Sequence, residues 1–322
     1  MSVSARISPD DGLMTEAEFA CVSNLLRQFT GIDLKASKRS MSSVRLSRLL
    51  KAQGAQDLGA FLARLQSDGA QQERDVFINA LTTNVTRFNR EAHQFEHLLH
   101  SVLPALSQAL RRGARVRLWS AGCSSGEEAY DLAFRVLEVC PEAAQLDCRI
   151  LATDINRYVL RQATLGQYDA DVVRDIPPAY LHRHFRSPDF RSPGGAGKSA
   201  TMPARKRVHG AARKLVVFRH LNLQAEWPFA GPFDVIMCRN VTIYFDAATQ
   251  LRLWHRFDAR LQPGGMLYVG HSETMHPDIA RSYRVEGPSI FRKTPSPACI
   301  EPTGCAQAGV ALSPQTRHDH EY

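Results

Sequence analysis

The sequence lacks the signatures of several common protein classes. Its seven cysteines are scattered along 322 residues and form no Cys-x-x-Cys pair, which argues against a disulfide framework and against a zinc ribbon. No stretch approaches the ~20 apolar residues of a transmembrane helix, and residues 1–11 lack the charged-then-apolar pattern of a signal peptide. We therefore expect a reduced, cytoplasmic protein with no segment inserted into a membrane.

The composition is ordinary, but the charge is unevenly distributed. Apolar residues make up 44% of the chain and charged residues 22%, which are globular values, and the net charge is +8. Residues 179–219 carry a local charge of +9 and residues 20–52 carry +6, so the remainder of the chain is at −7. Two basic patches on an acidic body predict an acidic partner.

The N-terminal part has the pattern of a small helical domain. Between Thr15 and Phe29 the apolar residues recur three and four positions apart, and Thr15 followed by Glu18 predicts a capping box. Further segments with helical spacing follow before residue 82. We expect a helical domain over residues 1–82, followed by a linker over residues 83–100.

The hydrophobic pattern of the sequence changes at Val116, where short β-type runs begin to alternate with helical segments. This alternation predicts a parallel sheet with right-handed crossovers, and so an α/β, doubly wound domain over residues 101–294. A stretch rich in Pro, Gly, Ser and Arg, at about 180–215, breaks the pattern and fits either an inserted β-hairpin unit or a loop. Residues 295–322 have no periodicity and are expected to be disordered.

The most informative segment is residues 119–128, which read WSAGCSSGEE, a strand followed by a glycine turn and a helix. Ligands bind beyond the carboxyl ends of such strands, and Gly122 and Gly126 would let the backbone approach one closely. The turn lacks both the Gly-x-Gly-x-x-Gly spacing and a Gly-Lys-Ser/Thr ending. Glu127 and Glu128 would repel a phosphate, so a cationic or neutral nucleoside fits better. The alternative is that two acids simply favour a helix N-terminus.

Polar side chains follow three other predicted strands. Asp154 suits the hydroxyls of a ribose, although a lone Asp after a strand is more often a helix N-cap. Asn222 and Asn240 offer donors and an acceptor, which suit an adenine edge or an amino-acid zwitterion. Each alone is better explained as a turn residue, but their convergence at consecutive strand ends favours a ligand site.

A polar segment separates the helical domain from the sheet. Within it, Asn84, Thr86 and Arg90 could close over a ligand or orient a carboxylate. Taken alone, however, the segment is better interpreted as an interdomain linker.

Together these motifs resemble the CheR-type chemotaxis-receptor methyltransferases. The resemblance runs from about Phe19 to Arg292, which is nearly the whole chain outside the tail. Its most specific parts, in chain order, are NALTTNVT at 79–86, WSAGCSSGEE at 119–128, FDVIMCRNVTIYFD at 233–246 and GHSE at 270–273. Several such blocks in the right order are far more specific than one glycine motif.

The resemblance implies a Rossmann-like S-adenosylmethionine-dependent methyltransferase domain. A small antiparallel β-subdomain is inserted into that domain, and an all-helical N-terminal domain precedes it. S-adenosylmethionine is implied as the cofactor, with S-adenosylhomocysteine as its product and no metal. The implied cofactor shell consists of Asn84, Thr86, Arg90, Glu128, Asp154, Asn222, Leu223, Asn240 and Val241.

The implied activity is methyl transfer to glutamate carboxylates of chemoreceptors, giving methyl esters in chemotaxis adaptation. Arg90 and Tyr244 are implied as the residues nearest to the transferring methyl group. The implied partner is the cytoplasmic helical domain of chemoreceptors, with recruitment of the protein to membrane-bound receptor arrays.

This chain departs from the family pattern at a few positions. Asn89 stands where the family usually has a second aromatic residue, so one aromatic wall of the site is expected to be missing. Thr242 stands where an apolar residue is common.

Two other functions remain open from the sequence. A nucleic-acid methyltransferase would share the sheet and the cofactor, but aromatic residues are only 8% of the chain and do not interleave with the basic runs. The other alternative is a catalytically weak receptor-array binding protein of the same fold. In that case, Asn89 would reflect the loss of catalytic activity.

Overall fold

The computed structural model describes residues 13–55, 57–174, 176–186, 205–229 and 231–295. The tail that was predicted to be disordered lies outside these residues from position 296 onward. Residues 187–204, which form much of the predicted insertion, also lie outside them. In the described ranges the chain forms a helical unit, a large sheet covered by helices on both faces, and a small separate sheet.

The helical unit is N-terminal and has an apolar core of its own. Its first helix begins with the predicted capping box, because the Glu18 amide donates to Thr15 Oγ1 at 3.2 Å and the Thr15 amide donates to Glu18 Oε2 at 2.7 Å. Val22 and Leu26 on the same helix are fully buried in this core. The helices are α1 (Glu16–Thr30), α2 (Arg39–Ala52), α3 (Leu58–Leu65) and α4 (Gln71–Leu81).

The remaining elements belong to the α/β part of the chain. Its helices are α5 (Ala92–His97), α6 (Leu103–Arg111), α7 (Glu127–Val139), α8 (Arg157–Leu165), α9 (Pro178–His184), α10 (Gly210–Leu215), α11 (Ala247–Arg260) and α12 (Pro277–Ala280). Its strands are β1 (Val116–Ala121), β2 (Cys148–Asp154), β3 (Gln167–Asp169), β4 (Phe185–Arg186), β5 (Arg205–Val208), β6 (Val216–His220), β7 (Phe233–Cys238), β8 (Leu261–Val269), β9 (Tyr283–Gly287) and β10 (Ile290–Lys293). One π-helical turn, Leu98–Val102, joins α5 to α6.

The large sheet has the strand order β6-β2-β1-β7-β8-β10-β9. The first five strands pair in parallel, and β10 pairs antiparallel with both β8 and β9. Leu118 packs into the core beneath α7, whereas its neighbour Trp119 packs into the core beneath α11, and both are fully buried. The sheet is therefore covered on both faces, as the alternating pattern predicted. Its strand order reverses at β1, which is where such folds bind ligands.

The small sheet has the order β3-β5-β4 and is antiparallel, so the inserted β-subdomain that the resemblance implied is present. Its first strand precedes the basic stretch in which an insertion was expected.

Two details of the large sheet differ from the sequence pattern. Residues 214–218 have the sequence pattern of a strand, but β6 begins only at Val216, because α10 continues to Leu215, whose side chain is fully buried. The β9–β10 hairpin was missed, although its turn consists of Pro288 and Ser289, which are typical turn residues.

Candidate functional site

A cavity of about 480 Å³ lies beyond the carboxyl ends of β1, β2, β6 and β7. This volume is within the range of small-molecule sites. The loop after α1 and the segment after α4 also contribute to its wall, so the helical unit closes one side. All ten predicted site residues line this cavity: Asn84, Thr86, Arg90, Glu128, Asp154, Asn222, Leu223, Asn240, Val241 and Tyr244.

The glycine turn after β1 brings bare backbone to the cavity wall. Gly122 has φ +93°, and a Cβ at this position would lie 2.3 Å from Val241 Cγ2, so no larger residue fits here without displacing the wall. Gly126 serves a different purpose from the one expected. Its added Cβ would meet Ala163 Cβ at 2.8 Å, so this glycine permits the close packing of α7 against α8 and does not line the cavity.

Asp154 ends β2 and is not the N-cap of the next helix. That cap is Asn156, whose Oδ1 accepts from the Tyr158 amide at 2.9 Å. Asp154 instead accepts from the amides of Ser124 and Asn156, each at 2.8 Å. Burial raises the pKa of its carboxyl, and these amide donors oppose the shift. The carboxylate therefore lies on the cavity wall, fixed to the glycine turn, in a position suited to a sugar hydroxyl.

The two asparagines also form bonds within the protein. Asn222 Nδ2 donates to the Phe29 carbonyl at 2.9 Å, which ties the end of β6 to the helical unit. The side chain also accepts from the Gln224 amide at 2.9 Å. Asn240 has φ +58°, a left-handed conformation that Asn tolerates better than most residues. The hydrogen bonds of Asn222 and the backbone conformation of Asn240 account for the turn interpretation of the two residues, and both also line the cavity.

The segment after α4 is a wall of the cavity and not merely a linker. The Asn84 carbonyl accepts from Ser124 Oγ at 3.0 Å, which joins this segment to the glycine turn. Arg90 Nη1 donates to the Val85 carbonyl at 3.0 Å. Asn84, Thr86 and Arg90 consequently face the same cavity as the strand ends.

A charged network that sequence reasoning missed lies beside Arg90. Arg239, with a side chain only 2% exposed, places Nη1 3.3 Å from Glu128 Oε2 and Nε 3.5 Å from Glu91 Oε2. Its Nη2 also donates to the Arg90 carbonyl. The only local signal was that Arg239 immediately precedes Asn240 in a motif already noted.

The turn that carries Tyr244 is held by a single carboxylate. Glu273 accepts from the amides of Asn240, Val241 and Thr242 at 2.6–2.8 Å. The Thr242 hydroxyl also donates to Glu273 at 2.8 Å, which accounts for a hydroxyl residue at this position. Both the Thr242 departure and the GHSE motif are thereby explained by one hydrogen-bonded turn.

Asn89 does not take an aromatic wall away from the cavity. Its backbone has φ +55°, its amide donates to Asp131 Oδ2 at 2.6 Å, and its side chain accepts from Arg135 at 3.2 Å. The side chain is therefore bonded to α7 and is absent from the cavity wall. The neighbouring Phe88 packs in the core against Tyr168. The expectation that one aromatic wall of the cavity is missing was therefore wrong, because the side chain at position 89 contacts α7 and does not line the cavity.

The helical unit supplies cavity residues that no local motif indicated. They include Asp33, whose amide donates to the Tyr244 carbonyl at 2.8 Å. Lys35 and Lys38 are exposed and also line the cavity. In the sequence these lysines were visible only as part of a basic patch.

Two further features concern the described residues alone. No group of three or more His, Cys, Asp or Glu residues is placed there to hold a metal ion. None of the helices in these ranges is long and apolar enough to cross a membrane.

The fold and the cavity define the class of protein. A switch-point cavity with a bare glycine turn, a carboxylate at the end of β2 and a second acid on the wall suits a nucleoside that carries cationic groups. These residues fit S-adenosylmethionine, whose ribose, ammonium and sulfonium have matching partners in hydroxyl acceptors and anions. The chain is thus a Rossmann-like, S-adenosylmethionine-dependent methyltransferase.

Comparison with known proteins identifies the family. Residues 17–82 match "CheR methyltransferase, all-alpha domain", and residues 84–290 match "CheR methyltransferase, SAM binding domain". The chain belongs to the CheR methyltransferase family, acts in chemotaxis, and uses S-adenosylmethionine as its cofactor.

Relatives support this over most of the chain. The probable chemotaxis protein methyltransferase of Rhizobium etli is 39% identical, over 82% of this chain and 95% of the relative. The chemotaxis protein methyltransferase of Klebsiella aerogenes is 40% identical, over 87% and 91%. That of Escherichia coli is 36% identical, over 86% and 91%. A methyltransferase structure from Mesorhizobium loti is similar at 16% identity over 53% of this chain and 54% of that chain. Its TM-score of 0.26 says nothing about function.

Proposed function

We propose that this protein transfers a methyl group from S-adenosylmethionine to glutamate carboxylates in the cytoplasmic helical domain of chemoreceptors. The products are glutamate methyl esters and S-adenosylhomocysteine. The observation that carries the proposal is the combination of charges on one cavity wall. Anionic Asp154 and Glu128 suit a cationic cofactor, whereas the cations Lys38, Arg87 and Arg90 suit a carboxylate substrate.

The reaction requires no general base from the protein. A glutamate side chain has a pKa of about 4.3, so it is already an anion at neutral pH. S-adenosylmethionine, when bound, supplies a methyl group on a positively charged sulfur. A carboxylate oxygen forms a bond to that methyl carbon while the carbon–sulfur bond breaks, and the sulfur keeps the electron pair. No proton moves.

Catalysis then depends on alignment and on exclusion of water. Holding the two reacting groups in line contributes up to about 7–11 kcal/mol. An anion that attacks a cation loses charge in the transition state, so a dry cavity favours the reaction. Arg90, anchored through Val85, orients the carboxylate, and Tyr244 either forms the wall beside the methyl path or polarises that path through its hydroxyl.

The basic patches supply the surface on which an acidic receptor helix docks. Lys35 and Lys38 belong to the N-terminal patch and line the cavity, and Arg87 is an exposed neighbour on the segment after α4. Attraction between such exposed charges is screened over about 8–10 Å at physiological salt. Receptor methylation should therefore slow as salt increases, while cofactor binding inside the cavity should change little. This docking would bring a cytoplasmic protein to the membrane-bound receptor array.

The decisive experiment combines radiolabelled S-adenosylmethionine with membranes that contain chemoreceptors. Label on the receptor that mild base releases as methanol supports the proposal, because carboxyl methyl esters hydrolyse in base. Asp154→Ala, which lacks the carboxylate at the end of β2, is the control for cofactor-dependent label. Label on added RNA supports a nucleic-acid methyltransferase instead, and no label at any salt concentration supports a catalytically weak binding protein.

A further inference from the structure

We propose that Arg239 is a positioning residue, which holds Arg90 in place and pairs with Glu128, the acid on the cofactor side of the cavity. The inference rests on the proposed role of this cavity as the methyl-transfer site. Arg239 does not act on a reacting atom itself. It acts through two residues that line the cavity.

The contacts of Arg239 join three separate parts of the chain. Arg239 follows β7, and its guanidinium reaches the Arg90 carbonyl, Glu91 Oε2 at 3.5 Å and Glu128 Oε2 at 3.3 Å. Arg90 and Glu91 lie in the segment after α4, and Glu128 lies in the first turn of α7. A guanidinium has the planar array of donors that such a branching contact needs, and an ammonium does not.

The environment makes this cation costly to bury without its partners. The side chain of Arg239 is 2% exposed, and its guanidinium carbon lies 5.2 Å from the centre of the Phe95 ring. The ring face attracts the cation but cannot neutralise it. Glu91 and Glu128, whose side chains are 10% and 13% exposed, supply the opposite charges, and removing the cation would leave both carboxylates without this partner.

Glu91 shows that the arrangement constrains the backbone as well. It has φ +56°, an uncommon conformation for a glutamate. Its side chain is held by Arg239 and by His271, whose Nδ1 lies 3.1 Å from Glu91 Oε1. Arg90 precedes this residue directly, so the anchoring of Glu91 and of the Arg90 carbonyl fixes where the Arg90 side chain begins.

The charged groups around Glu128 determine its protonation. Burial raises the pKa of the Glu128 carboxyl, and the nearby carboxylates of Glu91 and Glu273 raise it further. Arg239 and the hydroxyl of Ser120, which donates to Glu128 Oε1 at 2.6 Å, lower it. Arg239 is the cation among these groups. Without it, Glu128 would take up a proton at a higher pH and lose its attraction for a cationic ligand.

Two variants separate the charge of Arg239 from its hydrogen bonding. Arg239→Lys keeps the positive charge but loses the planar array of donors. Arg239→Gln keeps an amide donor, which reaches only about as far as the arginine Nε, and loses the charge. The ligand is S-adenosylhomocysteine, which retains the ammonium group and is not consumed, and its dissociation constant is measured by calorimetry from about pH 6 to about pH 8. Thermal unfolding of each variant verifies that it is folded.

A purely structural role of Arg239 would not change how the dissociation constant depends on pH, so this pH dependence is the decisive measurement. Relative to wild type at the same pH, we expect Arg239→Gln to bind about tenfold more weakly near pH 6 than near pH 8, and Arg239→Lys to keep the same ratio at both pH values. Comparison with wild type at each pH accounts for Asp131, which lines the same cavity and has a pKa of about 7. A loss in Arg239→Gln that is equal at every pH, or no loss, overturns the inference. If Arg239→Gln does not fold, the profile of Glu128→Gln in the wild-type background decides. Affinity equal to wild type there shows that a charged Glu128 is not needed and overturns the inference, whereas a uniform loss supports it.

Failure of this inference is distinguishable from failure of the proposed function. The titration uses no methyl acceptor, so it is unaffected if chemoreceptor glutamates are not the substrate. Conversely, base-labile methylation of receptors by the wild type would stand even if Arg239→Gln showed no pH dependence.

Discussion

The two ends of the cavity each contain a partly buried carboxylate, and the protein stabilises the two carboxylates differently. We call Gly122, Ser124 and Asp154 the glycine-turn end, and Arg90, Glu128 and Arg239 the arginine end. At the glycine-turn end, Asp154 is bonded to backbone amides within 30 residues of it in the chain. At the arginine end, Glu128 depends on a guanidinium 111 residues away.

Because of this difference, the two ends should respond differently to substitution and to pH. Backbone donors persist when side chains change, so the glycine-turn end is vulnerable to steric change and to loss of Asp154 itself. The arginine end relies on side-chain charges, so its properties should vary with pH and with single charge substitutions. The four predictions below test that contrast, beginning with the largest expected effect.

Gly122→Ala should be the most damaging change at the glycine-turn end. The new Cβ would lie 2.3 Å from Val241 Cγ2 at a φ of +93°, so both the turn and the cavity wall must move. We expect a cofactor affinity reduced by at least about 100-fold and an unfolding free energy lowered by more than the ~1–2 kcal/mol of left-handed strain alone. Calorimetric titration and urea unfolding measure the two quantities.

Gly113→Ala is the matched control for this prediction. Gly113 has φ +90°, but a Cβ there would meet nothing within 4 Å. It should lose about 1–2 kcal/mol of stability and keep its cofactor affinity. Equal losses of stability and affinity in both variants would show that strain, and not the approach of backbone to Val241, accounts for Gly122.

Asp154→Ala should weaken cofactor binding by about 10- to 100-fold, which corresponds to one hydrogen bond to a charged group. Asp154→Asn, which keeps one oxygen acceptor, should lie between Asp154→Ala and wild type. Asp68→Ala removes an exposed aspartate far along the chain and serves as the control. Unchanged affinity in Asp154→Ala, measured by calorimetry, would reject the ribose assignment.

The contrast between the two ends also explains what the sequence could predict. Gly122 and Asp154 were found because each lies directly after a strand, and the carboxyl ends of parallel strands meet at one edge. Arg239 and Asp33 were missed because their roles depend on residues 111 to 211 positions away, Glu128 and Tyr244. Asn89 was misjudged for the same reason, since its side chain reaches Arg135, 46 residues further on. Local patterns predict the strand ends, and only the fold brings the distant charges together.

Tyr244→Phe should lower turnover about tenfold with little change in cofactor affinity, because it removes only the hydroxyl that, in the proposed role, polarises the methyl path. Its turn is held by backbone bonds to Glu273 and Asp33, which the substitution leaves intact. Steady-state kinetics with labelled cofactor separate kcat from KM. The control is Tyr158→Phe, at a partly exposed tyrosine on α8. A raised KM for the cofactor with unchanged kcat would instead assign Tyr244 to ground-state binding.

Asp131→Asn should have the smallest effect on the reaction, and it tests whether charge beside the arginine end, within the influence of Arg239, is linked to pH. Burial raises the pKa of the Asp131 carboxyl to about 7, against the opposing Asn89 amide and the charges of Arg135 and Arg239. The folded protein therefore holds an extra proton between about pH 4 and pH 7, so its unfolding free energy falls as pH rises through that range. The variant lacks this loss. Other buried carboxyls titrate in both proteins and cancel in the difference.

Relative to wild type, the unfolding free energy of the variant should increase by about 2–3 kcal/mol between about pH 5 and about pH 8, since one pKa unit corresponds to about 1.4 kcal/mol. The attraction of Arg135 and Arg239 is already included in the raised pKa. Urea unfolding of both proteins at the two pH values measures it, with Asp68→Asn as the exposed control. A difference between variant and wild type that does not change with pH would mean that Asp131 is charged throughout. The arginine end would then resemble the glycine-turn end, with its carboxylates insulated from solvent pH.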